Sequence, residues 1–137
     1  MFFSEATSSQ KFELVTYLME RFNAEFASEN ESEEHEALTF KVKFEDGREQ
    51  IVFATLTPKY LTFWSPFAAD FDKVSAEQAL AAAAEMQIGV YAVGGLYSVI
   101  HKLPWIAYTL SAVDVAIAMV AETADDLEKD IFSNDRF

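Results

Sequence analysis

Apolar residues along the first part of the chain recur at the spacing of a helix. Phe12, Val15, Met19, Phe22 and Phe26 follow one another at steps of three or four, with Leu18 beside them. Lys11, Glu13, Glu20, Arg21 and Glu25 fall outside that stripe, so the segment reads as an amphipathic helix buried along one side. Thr7-Ser8-Ser9-Gln10 precedes it with the spacing of a capping box, which satisfies two of the amide groups a helix start leaves open. The pattern dissolves at Ser28. Residues 29–36 then carry five acids and no apolar side chain, the signature of a solvated loop.

The period next changes to two. Leu38, Phe40, Val42 and Phe44 alternate with Thr39, Lys41 and Lys43, as in a half-buried strand. Asp46-Gly47 predicts a hairpin turn, and a two-residue turn would set Val42 opposite Ile51 and Phe40 opposite Phe53. A third strand is expected over Tyr60–Trp64, with Leu61 and Phe63 on one face and Trp64 on the other, giving a three-strand meander. Pro66 to Lys73 reads as a loop that carries Phe67 and Phe71. Ser75-Ala76-Glu77-Gln78 is a second capping box and opens an Ala-rich helix to about Gln87. Small side chains such as Ala81 and Ala84 let another element approach closely.

Ile88–Val93 and Leu96–Lys102 form a further strand pair around Gly94-Gly95, with Ala92 expected opposite Tyr97 and Val90 opposite Val99. Pro104 stops the ladder because it has no N–H to donate. Ser111 marks the start of a last helix. Its core positions are Val113, Ile117, Val120, Ala124, Leu127 and Ile131, and its solvent side is Glu122, Asp125, Asp126 and Lys129. The expected fold is α+β in a single domain over 1–137: helix, three-strand meander, helix, β-hairpin, helix. The sheet should be largely antiparallel, with helices on one face.

Composition narrows what such a domain can do. The 137 residues carry a formal charge of −13 and no cysteine. Thiolate metal sites, disulfides and a cysteine nucleophile are therefore excluded. The acidic balance also argues against nucleic acid, whose affinity comes from Lys and Arg contacts to phosphate. The charge is unevenly placed: residues 1–36 sum to −7, residues 37–113 to −1 and residues 114–137 to −5. Met86 to Ile100, the longest stretch free of charged residues and histidine, is too short and polar for a membrane span. With no basic, apolar leader at the start, the expected location is the cytosol.

Catalytic chemistry is not legible. His35 lies within the acidic run, and His101 ends an apolar strand with no serine or carboxylate at a familiar spacing. Asp125, Asp126, Glu128 and Asp130 crowd one helix rather than facing each other across a cleft, and Asp70 and Asp72 lack the other ligands of a cation loop. No catalytic residue, metal or cofactor is assigned. The aromatics say more. Tyr60, Phe63, Trp64, Phe67 and Phe71 are denser than one strand and loop can bury, and Trp64 is expected on the outer face of the sheet. Tyr60, Trp64, Phe67 and Phe71, with Ala81 and Ala84 of the Ala-rich helix, are the candidate interface residues.

The last fifty residues run Gly89-Val90-Tyr91-Ala92-Val93, Gly94-Gly95, Leu96-Tyr97-Ser98-Val99-Ile100-His101 and Leu103-Pro104. They end in the helix Val120-Ala121-Glu122-Thr123-Ala124-Asp125-Asp126-Leu127-Glu128. This hairpin, Leu-Pro step and Ala-Asp-x-Leu-Glu helix ending, within that order of elements, resemble the YbjN / type III secretion chaperone-like (CesT-like) superfamily. The resemblance implies a non-enzymatic, homodimeric domain that binds a protein client, as a chaperone-like or regulatory adaptor. It supplies no catalytic residue. The alternative is a sensory domain that holds a small molecule in a pocket between sheet and helices.

Overall fold

The computed structural model describes residues 7–26, 36–69, 90–93 and 96–132. It is an α+β fold in which six antiparallel strands lie in the order β1-β2-β3-β4-β6-β5. The strands are β1 (Glu25–Phe26), β2 (Glu36–Lys43), β3 (Glu49–Leu56), β4 (Tyr60–Ala69), β5 (Val90–Val93) and β6 (Leu96–Pro104). Helix α1 (Ser8–Phe22) packs over β2, and helix α2 (Leu110–Phe132) packs over β3, β4 and β6. Both helices share one core with the same sheet face. The expected Ala-rich helix, Phe71, Ala81, Ala84, His35, Asp70, Asp72 and the Gly94-Gly95 turn lie outside the described residues.

Helix α1 starts as its sequence predicts. Thr7 Oγ1 accepts from the Gln10 amide and the Gln10 side chain accepts from the Thr7 amide, each at 3.0 Å. It ends at Asn23, in the left-handed region at φ 56°, with the Asn23 and Ala24 amides closing onto Met19 and Leu18. The buried side matches the expected stripe only in part: Leu18 is buried, and Val15 and Phe22 pack against the core. Leu14 and Leu18 are the residues in the core, whereas Phe12 is 74% exposed, Phe26 is 54% exposed and Met19 also faces outward. Burial of Leu14 and Leu18 accompanies this rotation, with polar contacts along one flank. Tyr17 donates to Asp114, the Tyr108 hydroxyl donates to Glu13 at 2.8 Å, and Gln10 reaches the Trp105 carbonyl, with that flank of α1 facing the start of α2. Burial first, then the carboxylate partner, raises the pKa of both tyrosines.

The Asp46-Gly47 hairpin forms with one loop residue more than expected. The Phe44 amide donates to Arg48 O at 2.8 Å and the Gly47 amide to Phe44 O at 3.0 Å, so Glu45, Asp46 and Gly47 make the loop. Gly47 sits at φ +90°, which a three-residue loop needs at its last position. That extra residue shifts the register by one: Val42 lies opposite Gln50 and Phe40 opposite Val52. Gln50, Val52, Ala54 and Leu56 therefore point into the core, and Ile51 and Phe53 point away from it. Asp46 accepts the Arg48 amide and its guanidinium, which holds its carboxyl below the usual range.

Strand β4 runs on through the segment expected as a loop. Pro66 stays in the sheet because the strands part there: β3 pairs with β4 only from Phe53–Leu56 to Leu61–Trp64. Beyond that point the Gln50 side-chain amide donates to Pro66 O at 2.8 Å and to Ser65 Oγ at 3.1 Å, and Ser65 Oγ donates to Ile51 O at 2.6 Å. A side chain thus takes the place of ladder bonds that a proline cannot complete. A bulge follows between Pro66 and Ala68. The β5–β6 register is as expected, with Ala92 opposite Tyr97 and Val90 opposite Val99.

A 3-10 turn at Trp105–Ala107 leads into α2. The buried Trp105 indole donates to Thr57 O at 2.7 Å, fastening the β3–β4 turn beneath it. Thr109, two residues before Ser111, caps the helix by accepting the Ala112 amide on its hydroxyl and the Val113 amide on its carbonyl. Val113, Ile117, Val120, Ala124 and Leu127 are buried as the periodicity predicts. One acid expected on the solvent side, Asp125, is not there, and its neighbour Glu128 is fully buried as well. Asp125 is held against the hairpin by Arg48 at 2.9 Å and pairs within its own helix with Lys129 at 3.3 Å, while Glu122 and Asp126 remain exposed.

Candidate functional site: the outer face of the sheet

With both described helices on one face, the alternation of each strand places a second set of side chains on the other. The shifted hairpin register decides its character, because it turns Ile51 and Phe53 outward beside Trp64. One row crosses the sheet as Glu25, Thr39, Phe53, Trp64 and Ile100. A second row reads Ala37, Thr55, Thr62 and Lys102, and Lys41 lies opposite Ile51. Phe53 and Trp64 stack with ring centroids 4.2 Å apart and planes 13° from parallel. The Trp64 indole donates to Thr55 Oγ1 at 3.3 Å, so its polar edge is satisfied within the sheet and its apolar surface forms the platform.

Lysines border this platform, with Glu25 and Glu49 among them. Lys41, Lys43 and Lys102 are exposed, and Lys102 Nζ lies 5.6 Å from the centre of the Tyr60 ring. Neither Lys41, Lys43 nor Lys102 forms an ion pair among the described residues, where all three pairs use Arg48 or Lys129. At the β1 side the face continues into a groove of about 360 Å³. Phe22, Phe40 and Ile51 line it together with two lysines, Lys41 and Lys43, and two carboxylates, Glu25 and Glu49. The groove is open to the surface.

Of the candidate interface residues, Tyr60 and Trp64 come together on this outer face. Phe67 does not: it is the extra residue of the β4 bulge and is fully buried in the core, so it is removed as a surface contact. The reason is the continuation of β4 past Pro66, which carries Phe67 inward with the strand. Phe53, Ile51 and Lys41 belong to the face, yet the sequence pattern does not single them out. A two-residue turn assigns Phe53 and Ile51 to the core, and only the three-residue loop reveals them.

His101 pairs opposite Phe63 and is half-buried, with no side-chain hydrogen bond to a serine or carboxylate among the described residues. Among the described residues no group of three His, Cys, Asp or Glu side chains gathers as metal ligands, and no helix is long and apolar enough to cross a membrane. No protein-family model matches the chain, and no curated protein sequence is significantly similar to it.

Proposed function

We propose that this chain is a non-enzymatic polypeptide-binding domain, a chaperone-like or regulatory adaptor that acts as a homodimer in the cytosol. The observation that carries the reading is the outer face: a stacked Phe53–Trp64 platform flanked by Ile51, Ile100 and lysines, continuous with an open groove. Large aromatics with satisfied polar edges supply apolar contact at little entropic cost, as interface cores do. The resemblance to the YbjN and secretion-chaperone-like superfamily supports the same reading. Exposed Ile106, Val115 and Met119 on the helical side support self-association.

Photo-cross-linking in cells tests the site, with the reactive group at Thr62 on the outer face or at Asp126 on the helical face. A client captured from Thr62 is then purified and titrated against the wild type, Trp64→Ser and Thr62→Arg; the last blocks the face while leaving the aromatic stack in place. Both variants should weaken binding at least tenfold with melting curves that still show a folded domain. Cross-links confined to the helical face, or unchanged affinity in both variants, would defeat the assignment. Sedimentation of the purified chain tests the dimer, which a single species of monomer mass at micromolar concentration would overturn.

A further inference from the structure

We infer that the segment bound on the outer face is an acidic peptide, with apolar side chains for the Phe53–Trp64 platform and carboxylates for its lysine rim. The inference rests on the polypeptide-binding reading above and adds the chemistry of the partner. Its basis is how charge is divided between the two faces of an acidic molecule. The helical layer exposes Glu13, Glu20, Asp114, Glu122 and Asp126. The outer sheet face carries Lys41, Lys43 and Lys102 against Glu25 and Glu49, and its lysines form no ion pair among the described residues. Arg21 joins Lys41 and Lys43 where the groove turns around the sheet edge.

Geometry decides which charge a bound segment feels. A helix with its side chains is about 10 Å across, so acids on the outward side of α2 lie roughly 20 Å from the lysine tips beyond the sheet. That is more than two Debye lengths, about 8 Å each at physiological ionic strength. The acids of α2 therefore act on approach from afar, while contact is governed by the charges of the face itself, Lys41, Lys43 and Lys102 with Glu25 and Glu49. Lys41 and Lys102 stand on opposite sides of the aromatic row, one toward β2 and one on β6, so carboxylates at both ends of a short segment would each find a cation.

The test uses three labelled synthetic dodecapeptides, identical in their alternating Val and Tyr positions and carrying Glu, Gln or Lys at the rest. Anisotropy is measured against the full chain. The Glu peptide should bind about three- to thirtyfold tighter than the Gln peptide, as expected from two or three partly exposed ion pairs. The Lys peptide should bind weakest, and 0.5 M salt should remove most of the difference. Lys41→Gln with Lys102→Gln should bring the Glu peptide down to the Gln peptide's affinity without moving the melting temperature. If the Gln and Lys peptides bind as tightly as the Glu peptide, and Trp64→Ser weakens all three, the acidic-partner inference falls and polypeptide binding stands. No binding by any peptide overturns both. Self-association that the lysine substitutions abolish would assign the face to a second copy and overturn the inference.

Discussion

Replacing Gly47 by alanine tests the left-handed position that closes the β2–β3 loop. Gly47 lies at φ +90°, and a Cβ added there meets no atom within 4 Å. Neighbouring side chains therefore contribute nothing to the cost, which is the intrinsic penalty of a left-handed L-residue, about 1–2 kcal/mol. Alanine also reduces the freedom of the unfolded chain, returning about 0.4–1 kcal/mol. The net destabilisation is about 1 kcal/mol, or about 3–5 °C in melting temperature for a domain of this length. Asparagine visits the left-handed region more readily, so Gly47→Asn should recover at least half of the loss. Urea and thermal unfolding by circular dichroism measure all three proteins. A Gly47→Ala protein as stable as the wild type would mean that residue 47 is not left-handed. The three-residue loop closed by a left-handed Gly47 would then be wrong.

Three further outcomes are expected. Arg48→Met leaves the buried Asp125 carboxylate with Lys129 alone and should cost about 1–3 kcal/mol; a cycle with Asp125→Asn isolates the pair, and a coupling near zero would remove it as a fastener. Trp105→Phe deletes the indole donor to Thr57 O and should cost about 1–3 kcal/mol in urea unfolding; wild-type stability would show that bond to be dispensable. Tyr17 and Tyr108 hold their protons more tightly folded than unfolded, so their contribution is complete below about pH 10, where an unfolded tyrosine titrates. It is lost as pH rises through the higher folded values. Thermal melts from pH 8 to 11 should therefore fall more steeply for the wild type than for Tyr17→Phe/Tyr108→Phe, and parallel curves would exclude the tyrosine contacts as the cause.

Element types were readable because local signals and burial agree. The Thr7–Gln10 box, the heptad-like run of α2 and the β5–β6 pairing all appear where the residues place them. Faces were harder. Strand β3 carries apolar residues at Ile51 and Phe53 as well as at Val52, Ala54 and Leu56, so alternation alone does not choose the inward set. One loop residue chooses it. On α1, Phe12 and Met19 are as apolar as Leu14 and Leu18, so the pattern alone does not choose the inward side, and the contacts of Tyr17 and Glu13 with residues nearly a hundred positions away are not legible locally. Asp125 and Glu128 have acidic spacing typical of a wet surface, yet Arg48 from the distant hairpin makes burial of Asp125 tolerable. At the site, Trp64 was legible from strand parity, whereas its stacking partner Phe53 was hidden by the turn.

The parting of β3 from β4 past Trp64 divides the sheet into two sets of strands. On one side β2 and β3 are joined along their whole lengths, and on the other β4 and β6 are. Between them the ladder covers only Phe53–Leu56, and the Gln50 side chain spans the gap that opens past Trp64. Such a seam sets the boundary of cooperative opening. In native-state hydrogen exchange the amides of β2 and β3 should open as one unit and those of β4 and β6 as another. The Phe53–Trp64 stack spans that boundary, so a segment bound across both rings would fuse the two units into one. Slowed exchange in β2 and β3 on binding would then report occupancy of the outer face from the far side of the seam.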